Sequence, residues 1–209
     1  SQLTWFVTKY IMIRKKLSEI FKRGSKTYFY SSIFFPNEIR EDVTKLYAFV
    51  RTADNYVDNI PPKKNTFKNF VRDYNKRNEN IKASRNEVIN SFVEIRNKHH
   101  IPNSWVDSFI ESMCSDLTNN KYLTRKEIET YIYGSAEVIG LMMAKILDLP
   151  KKSFPYARKL GRAMQYANFI RDINEDNKLK RVYIPSERLK KYKISNLSKE
   201  TAYKNSNGF

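Results

Sequence analysis

Tyr47-Ala48-Phe49-Val50-Arg51-Thr52-Ala53-Asp54-Asn55-Tyr56-Val57-Asp58 is the stretch on which the reading of this chain turns. On a helix, Tyr47, Arg51, Asp54 and Asp58 fall within a sector of roughly 60°. Val43, Leu46, Val50 and Val57 run along its flank, and Glu38, Glu41, Lys45 and Thr52 take the opposite, more solvated side. The acidic stripe therefore adjoins the core-facing side, where a carboxylate is expensive to keep unless a cation compensates it. A pair of carboxylates at i and i+4 is common on solvated helices, so by itself this pair says little.

A second stretch changes that. Gln165, Asn168, Asp172 and Asp176 occupy a sector of roughly 80° on a helix, among Met164, Tyr166, Ala167, Phe169 and Ile170. Two polar stripes ending in DxxxD, on separate helices, can face each other across a cavity. Mg²⁺ is a hard ion that takes a few carboxylates together with water and substrate phosphate. A diphosphate leaving group gains negative charge as its C–O bond breaks, and metal ions with nearby Arg or Lys stabilise that charge.

Outward from these stripes the chain reads as helices throughout. Asn37 is expected to cap a helix that runs to about Ile60, where Pro61-Pro62 stops it. Residues 63 to 86, rich in Lys, Asn and Arg, suggest an exposed loop and a polar helix. Helical periodicity returns at Val88 to Ile95 and Ser104 to Leu117. Further helices are expected over Arg125 to Leu147 and Pro155 to Asp176. After Tyr183-Ile184-Pro185 the chain turns polar, and Asn205-Ser206-Asn207-Gly208 reads as a frayed end. No strand alternation of useful length and no internal repeat is evident.

With 41% hydrophobic and 14% aromatic residues, the 209-residue chain can bury a core. Only 5 Gly and 7 Pro leave room for long helices and short connections. The net charge of +17, from 39 Lys and Arg against 22 Asp and Glu, points to an anionic partner. Nucleic acid, an anionic membrane and a phosphorylated substrate all fit that charge. The one cysteine, Cys114, excludes an internal disulfide and suits a cytoplasmic protein. His99 and His100, before Ile101-Pro102, read as a helix end rather than as a metal site or general base. The run Leu3 to Ile13 is too short and too interrupted to span a membrane, and its basic residues follow it, unlike a signal peptide. With Arg14, Lys15, Lys16 and Lys22 it forms a basic amphipathic helix. Packing on the domain is the expectation for that helix, with peripheral membrane contact as the alternative.

Here the residues resemble a family. Tyr47 to Asp58 looks like the first aspartate-rich motif of the squalene and phytoene synthases, and Gln165 to Asp176 looks like the second, continuing into Arg181-Val182-Tyr183-Ile184-Pro185. Tyr131-Ile132-Tyr133-Gly134-Ser135-Ala136-Glu137-Val138-Ile139-Gly140 resembles the family's central helix, and Ser25-Lys26-Thr27-Tyr28 its early motif. The resemblance covers roughly residues 24 to 188. It implies an all-α fold: a single isoprenoid-synthase domain over residues 1–209, a helical bundle around a central cavity that lacks the last C-terminal helices. It further implies that Asp54, Asp58, Asp172 and Asp176, with Asn168, bind Mg²⁺ (or Mn²⁺) bridged to the diphosphates. Arg51 and Gln165 join the same sites, and Ser25, Lys26, Tyr47, Arg171, Arg181 and Tyr183 are implied near the phosphates. Tyr131, Arg51 and Tyr183 are the implied catalytic residues. By periodicity, Tyr131 shares a stripe with Ser135, Val138 and Met142, which would line the prenyl channel. Glu137 departs from the family, where Gly is usual.

The function so implied is a head-to-head prenyl transferase acting on prenyl diphosphates. Two geranylgeranyl diphosphates giving phytoene is the first reading. Farnesyl diphosphate giving squalene or dehydrosqualene is the second, with NADPH needed only for squalene. A basic helical nucleic-acid-binding protein is the reading outside this class. It lacks a recognised module, and two acidic stripes would repel phosphate. No nucleic acid partner is therefore expected. A catalytically idle relative serving as an assembly subunit is a third reading, against which all the motif aspartates are present.

Overall fold

With few residues to interrupt them, the expected helices form, and among the described residues no strand does. The structure is a computed structural model that describes residues 2–80 and 83–198, apart from the side chain of Leu3. The expected frayed end at Asn205 to Gly208 lies outside the described residues. The α-helices are α1 (Gln2–Gly24), α2 (Lys26–Ser31), α3 (Asn37–Asp58), α4 (Lys64–Asn78), α5 (Glu87–Lys98) and α6 (Asn103–Thr118). They continue as α7 (Arg125–Ile132), α8 (Val138–Ile146), α9 (Phe154–Arg171), α10 (Ile173–Lys178) and α11 (Ser186–Lys191). An isolated parallel bridge, Lys121 to Val182, is the one β-type pairing among the described residues. Among those residues, no helix is long and apolar enough to cross a membrane.

The chain divides into two compact units, one formed by the residues up to Pro102 with Lys145–Leu149, the other by Asn103–Ala144 and the residues from Pro150 onward. In the first unit α3 is the central rod, and α1, α4 and α5 pack against it. Phe49 of α3 stacks on Phe92 of α5 with ring centroids 3.8 Å apart, and Phe70 and Tyr74 of α4 close around it. Burying each such ring contributes about 1.5–3 kcal/mol. The polar composition of residues 63 to 86 therefore conceals a core helix, since Phe67, Phe70 and Tyr74 are buried. The N-cap of α3 is Pro36, and Asn37 is the first residue inside the helix, which thus begins one position earlier than expected. The helix stops at Asp58, with Asn59 already extended. Lys45, read as solvated, is buried and bridges Glu41, Asp42 and Glu94. α1 buries apolar side chains only in its second half: Leu17 and Phe21 are buried, while Trp5, Phe6, Val7, Ile11 and Met12 are exposed, and the first half is held by polar contacts, Tyr10 to Glu41 and Lys9 to Glu87. α5 ends at Lys98, and His99 caps it and pairs with Asp42 at 2.7 Å, as a helix-end histidine should.

In the second unit the expected helix over Arg125 to Leu147 is not one α-helix. Tyr133–Glu137 forms a π turn, in which the Val138 N–H reaches the Tyr133 carbonyl. A π turn inserts a residue into the helical ladder, so a constant-phase stripe cannot be extended through it. Tyr131, Ser135, Val138 and Met142 are nevertheless all buried. The π turn packs between α6 and α9. Gly161 of α9 permits this: a Cβ there would lie 2.6 Å from the Ala136 carbonyl oxygen. The expected helix over Pro155 to Asp176 is also interrupted. α9 and α10 meet at Asp172, whose ψ of 11° lies outside the helical range.

Candidate active site

In the first unit, α3 presents Arg51, Asp54 and Asp58 along one face. Arg51 Nη1 donates to Asp54 Oδ2 at 2.7 Å, which satisfies a half-buried carboxylate. Asp58, at the last turn, is exposed and lines an open groove of about 590 Å³ together with Arg51, Tyr56 and Lys63. Tyr47 lies one turn earlier, stacked on Phe21 at 4.2 Å, and burial pushes its phenol pKa up. Gly24 allows that approach, because a Cβ there would sit 2.5 Å from the Tyr47 hydroxyl. Ser25 Oγ accepts from the Tyr28 N–H at 3.2 Å and caps α2. Its hydroxyl is thus engaged in a local turn, beside an exposed Lys26.

In the second unit the break at Asp172 does not scatter the predicted residues. The Asp172 N–H bonds the Asn168 carbonyl and the Asp176 N–H bonds the Asp172 carbonyl, both at 2.8 Å. The i, i+4 backbone bonds of Asp172 to Asn168 and of Asp176 to Asp172 therefore carry the succession Gln165, Asn168, Asp172 and Asp176 from α9 into α10. Arg171 grips its neighbour Asp172 in a bidentate pair, Nε to Oδ1 at 2.6 Å and Nη2 to Oδ2 at 2.7 Å. The backbone then turns, with the Arg181 N–H on the Asp176 carbonyl at 2.9 Å. This brings Arg181 and Tyr183 inward, both buried.

Around Tyr183 lies the aromatic centre of this unit, formed with Tyr122, Tyr131 and Phe169. Phe169 stacks flat on Tyr183, with centroids 4.6 Å apart and planes 5° from parallel. Beneath them is Asp116, 6% exposed. The Tyr131 hydroxyl donates to Asp116 Oδ2 at 2.8 Å and the Tyr183 hydroxyl to Asp116 Oδ1 at 2.7 Å. Burial drives both phenol pKa values up, and the Asp116 charge adds to this. At Tyr183 the Arg181 charge offsets part of that rise. Nearby, Glu137, fully buried in the π turn, accepts from Arg158 Nε at 2.8 Å and from Arg162 Nε at 2.6 Å.

Sequence reading brought Tyr131, Arg181 and Tyr183 forward and noted Glu137 as a departure from the family, but it missed Asp116 and the arginine partners of Glu137. A signal for Asp116 existed: it continues the buried stripe of Val106, Phe109 and Met113 along α6, where an aliphatic side chain would be ordinary. For Glu137 the signal was a charged residue inside an otherwise apolar stretch.

The donor chemistry fits Mg²⁺. Among the described residues no cluster of three or more His, Cys, Asp or Glu closes on a point. Each unit instead offers a pair of half-buried or exposed carboxylates. That is the partial shell Mg²⁺ uses when water and substrate phosphate complete it.

The model of the family described as squalene/phytoene synthase matches residues 21–207, which take in both aspartate pairs and the tyrosine centre. The chain belongs to the squalene/phytoene synthase family. A 15-cis-phytoene synthase of Paracoccus sp. (strain N81106 / MBIC 01143) is 27% identical over 181 residues, covering 81% of this chain and 59% of that protein. A 4,4'-diapophytoene synthase of Staphylococcus haemolyticus (strain JCSC1435) is 24% identical over 85% of this chain and 64% of its own length. A phytoene synthase of Rhodobacter capsulatus is 26% identical over 81% and 51%. The chain thus spans between half and two-thirds of the length of these curated relatives. In fold it is similar to a dehydrosqualene synthase solved with a ligand, TM-score 0.81 at 22% identity, covering 96% of this chain and 76% of that one. It is similar also to a squalene synthase from Alicyclobacillus acidocaldarius, TM-score 0.75 at 20% identity, covering 86% and 68%. As in these family members, the architecture is all-α.

Proposed function

We propose that this chain catalyses the head-to-head condensation of two prenyl diphosphates through a cyclopropylcarbinyl diphosphate, with two geranylgeranyl diphosphates giving phytoene. The observation that carries this reading is the family match over residues 21–207, which takes in both aspartate pairs, Tyr131 and Arg181 to Pro185 in one order. In the first step an allylic C–O bond breaks and its electron pair leaves with the diphosphate. The double bond of the second substrate attacks the allylic cation, and loss of a proton closes the three-membered ring. A second ionisation and rearrangement, ended by proton loss, gives the linear hydrocarbon.

Asp54, Asp58, Asp172 and Asp176, with Asn168, would hold Mg²⁺. When bound, the ion neutralises charge on the departing diphosphate. Arg51, Arg171 and Arg181, with Lys26, Gln165 and the Ser25 and Tyr47 hydroxyls, are the protein's own contacts for diphosphate oxygens. Arg51 and Arg171 now hold Asp54 and Asp172, so substrate oxygens would compete for guanidiniums already placed beside the carboxylates. Tyr131 and Tyr183, inside an apolar aromatic shell, keep water from the carbocations.

Farnesyl diphosphate is the second substrate reading, because relatives carry both phytoene and diapophytoene synthase names. NADPH enters only if the product is squalene. The exposed Trp5, Phe6, Ile11 and Met12, beside Lys9, Arg14, Lys15 and Lys16, favour peripheral contact with an anionic membrane surface, where greasy substrates and products reside. The deciding experiment incubates the protein with Mg²⁺ and labelled geranylgeranyl or farnesyl diphosphate and identifies products by mass. Phytoene from the longer substrate is expected. Recovery of intact substrates, or of a chain-elongated diphosphate, would overturn the reading.

A further inference from the structure

Asp116 stands outside every role assigned above. It is a carboxylate 6% exposed on the apolar stripe of α6. Its two oxygens are used separately, Oδ2 by the Tyr131 hydroxyl and Oδ1 by the Tyr183 hydroxyl. Those partners come from sequence separations of 15 and 67 residues. The rings are fixed as well: Tyr131 and Tyr183 lie 5.2 Å apart at 31°, and Phe169 and Tyr122 pack on them. A phenol has one proton to donate and two lone pairs. In each tyrosine that proton is already committed to Asp116.

We infer that Asp116 is the positioning residue of this tyrosine pair, holding both hydroxyls as donors to itself so that Tyr131 and Tyr183 offer a reacting prenyl chain their oxygen lone pairs. The inference rests on the proposed prenyl transfer for its chemical consequence. A hydroxyl spent on a buried carboxylate is no hydrogen-bond donor or acid for a departing diphosphate. A lone pair backed by a buried negative charge is instead attractive to an allylic or cyclopropylcarbinyl cation. The pair thus acts on the cation, and the leaving group is left to the arginines and the metal-binding carboxylates.

Two measurements on the intact chain test this. The first needs no substrate: NMR of protein labelled with ¹³C at tyrosine Cζ, with Tyr131 and Tyr183 assigned by their loss in Tyr131→Phe and Tyr183→Phe. In the wild-type protein both resonances are expected downfield of the exposed tyrosines, as for phenols donating to a carboxylate, and both should move upfield in Asp116→Asn. Wild-type resonances at the position of the exposed tyrosines overturn the inference even if the Asn variant does not fold. The second is a double-mutant cycle on turnover. Asp116→Asn should lower kcat about 100-fold with KM changed less than about threefold, the loss expected for removing one preorganised electrostatic group. In a Tyr131→Phe/Tyr183→Phe background the same change should cost less than about threefold, because the group acts through the hydroxyls. Equal losses in both backgrounds overturn the positioning role. If the wild-type chain turns over no prenyl diphosphate, the proposed reaction fails, and the resonances still decide whether Asp116 holds the two hydroxyls.

Discussion

Individual carboxylates in this chain do different work according to burial. Asp58 is exposed and Asp172 is half-buried beside Arg171, so neither supports the core. Asp58→Asn and Asp172→Asn are each expected to lower turnover by about 100-fold or more, while thermal melts shift by no more than about 0.5 kcal/mol of stability. Turnover equal to wild type at saturating Mg²⁺ would remove these residues from the metal site. Asp42 is the opposite case, 2% exposed at the start of α3 and held by Lys98 and His99 at 2.7 Å each. Burial alone would push its carboxyl pKa up, but those hydrogen bonds and the charges of Lys98 and Lys45 outweigh burial and bring it below the ordinary 3.8. A lowered carboxyl pKa contributes stability that is full above about pH 4 and fades as pH falls below it. Asp42→Asn should therefore cost about 1–3 kcal/mol at neutral pH, and its urea midpoint should fall less steeply than that of wild type between neutral pH and pH 3. Parallel curves for the two proteins would show that the network carries no acid sensitivity.

At the scale of elements, the second unit depends on how closely α9 lies against the π turn and α8. Gly140 meets Ala157, where a Cβ would stand 2.5 Å from its carbonyl oxygen, and Gly161 meets Ala136 at 2.6 Å. These obstacles are backbone atoms, which cannot swing aside as a side chain would. Gly161→Ala should destabilise the protein by about 1–3 kcal/mol through overpacking, despite the gain in helix propensity expected at a solvated position. Denaturant unfolding would reveal the effect, and a stabilised variant would show that the two elements separate easily. Glu137 ties the same pair of elements through Arg158 and Arg162. Glu137→Ala leaves two half-exposed arginines that can turn to water, so its cost should come mainly from lost packing and lost charge-assisted bonds, about 2–4 kcal/mol. A melt unchanged from wild type would mean that the arginine clamp contributes nothing.

The whole molecule carries a net charge of +17, and α1 sets apolar side chains beside part of that charge. If α1 meets a membrane as proposed, such a surface would bind by apolar insertion and electrostatics together. Sedimentation with vesicles containing phosphatidylserine is expected to exceed that with neutral vesicles and to weaken with salt. Changing Lys15 or Lys16 to Gln should each reduce partitioning by about fivefold, equivalent to ~1 kcal/mol per basic residue near the surface. Equal sedimentation with neutral and anionic vesicles would exclude an electrostatic contribution.

Much of this protein could be read from sequence because helices are local objects. The periodicity of Val43, Leu46, Val50 and Val57 needs no distant partner to declare a helix, and an i, i+4 spacing places Asp54 and Asp58 together whatever surrounds them. The all-α class and the family motifs were legible for that reason. Short-range periodicity erred where a helix departs from constant phase, as at the break at Asp172 and at the π turn of Tyr133–Glu137, which is packed between α6 and α9. It also misjudged Lys45 and the face of α4, because burial depends on which neighbours arrive and a side chain's own polarity does not reveal them. Asp116 is the sharpest instance: a lone aspartate near a helix end, given its partners only when Tyr131 and Tyr183 fold onto it. Local chemistry and spacing settled what the chain is made of, and tertiary structure alone decided which hydroxyls and carboxylates share a proton, since that depends on contacts between residues far apart in the chain.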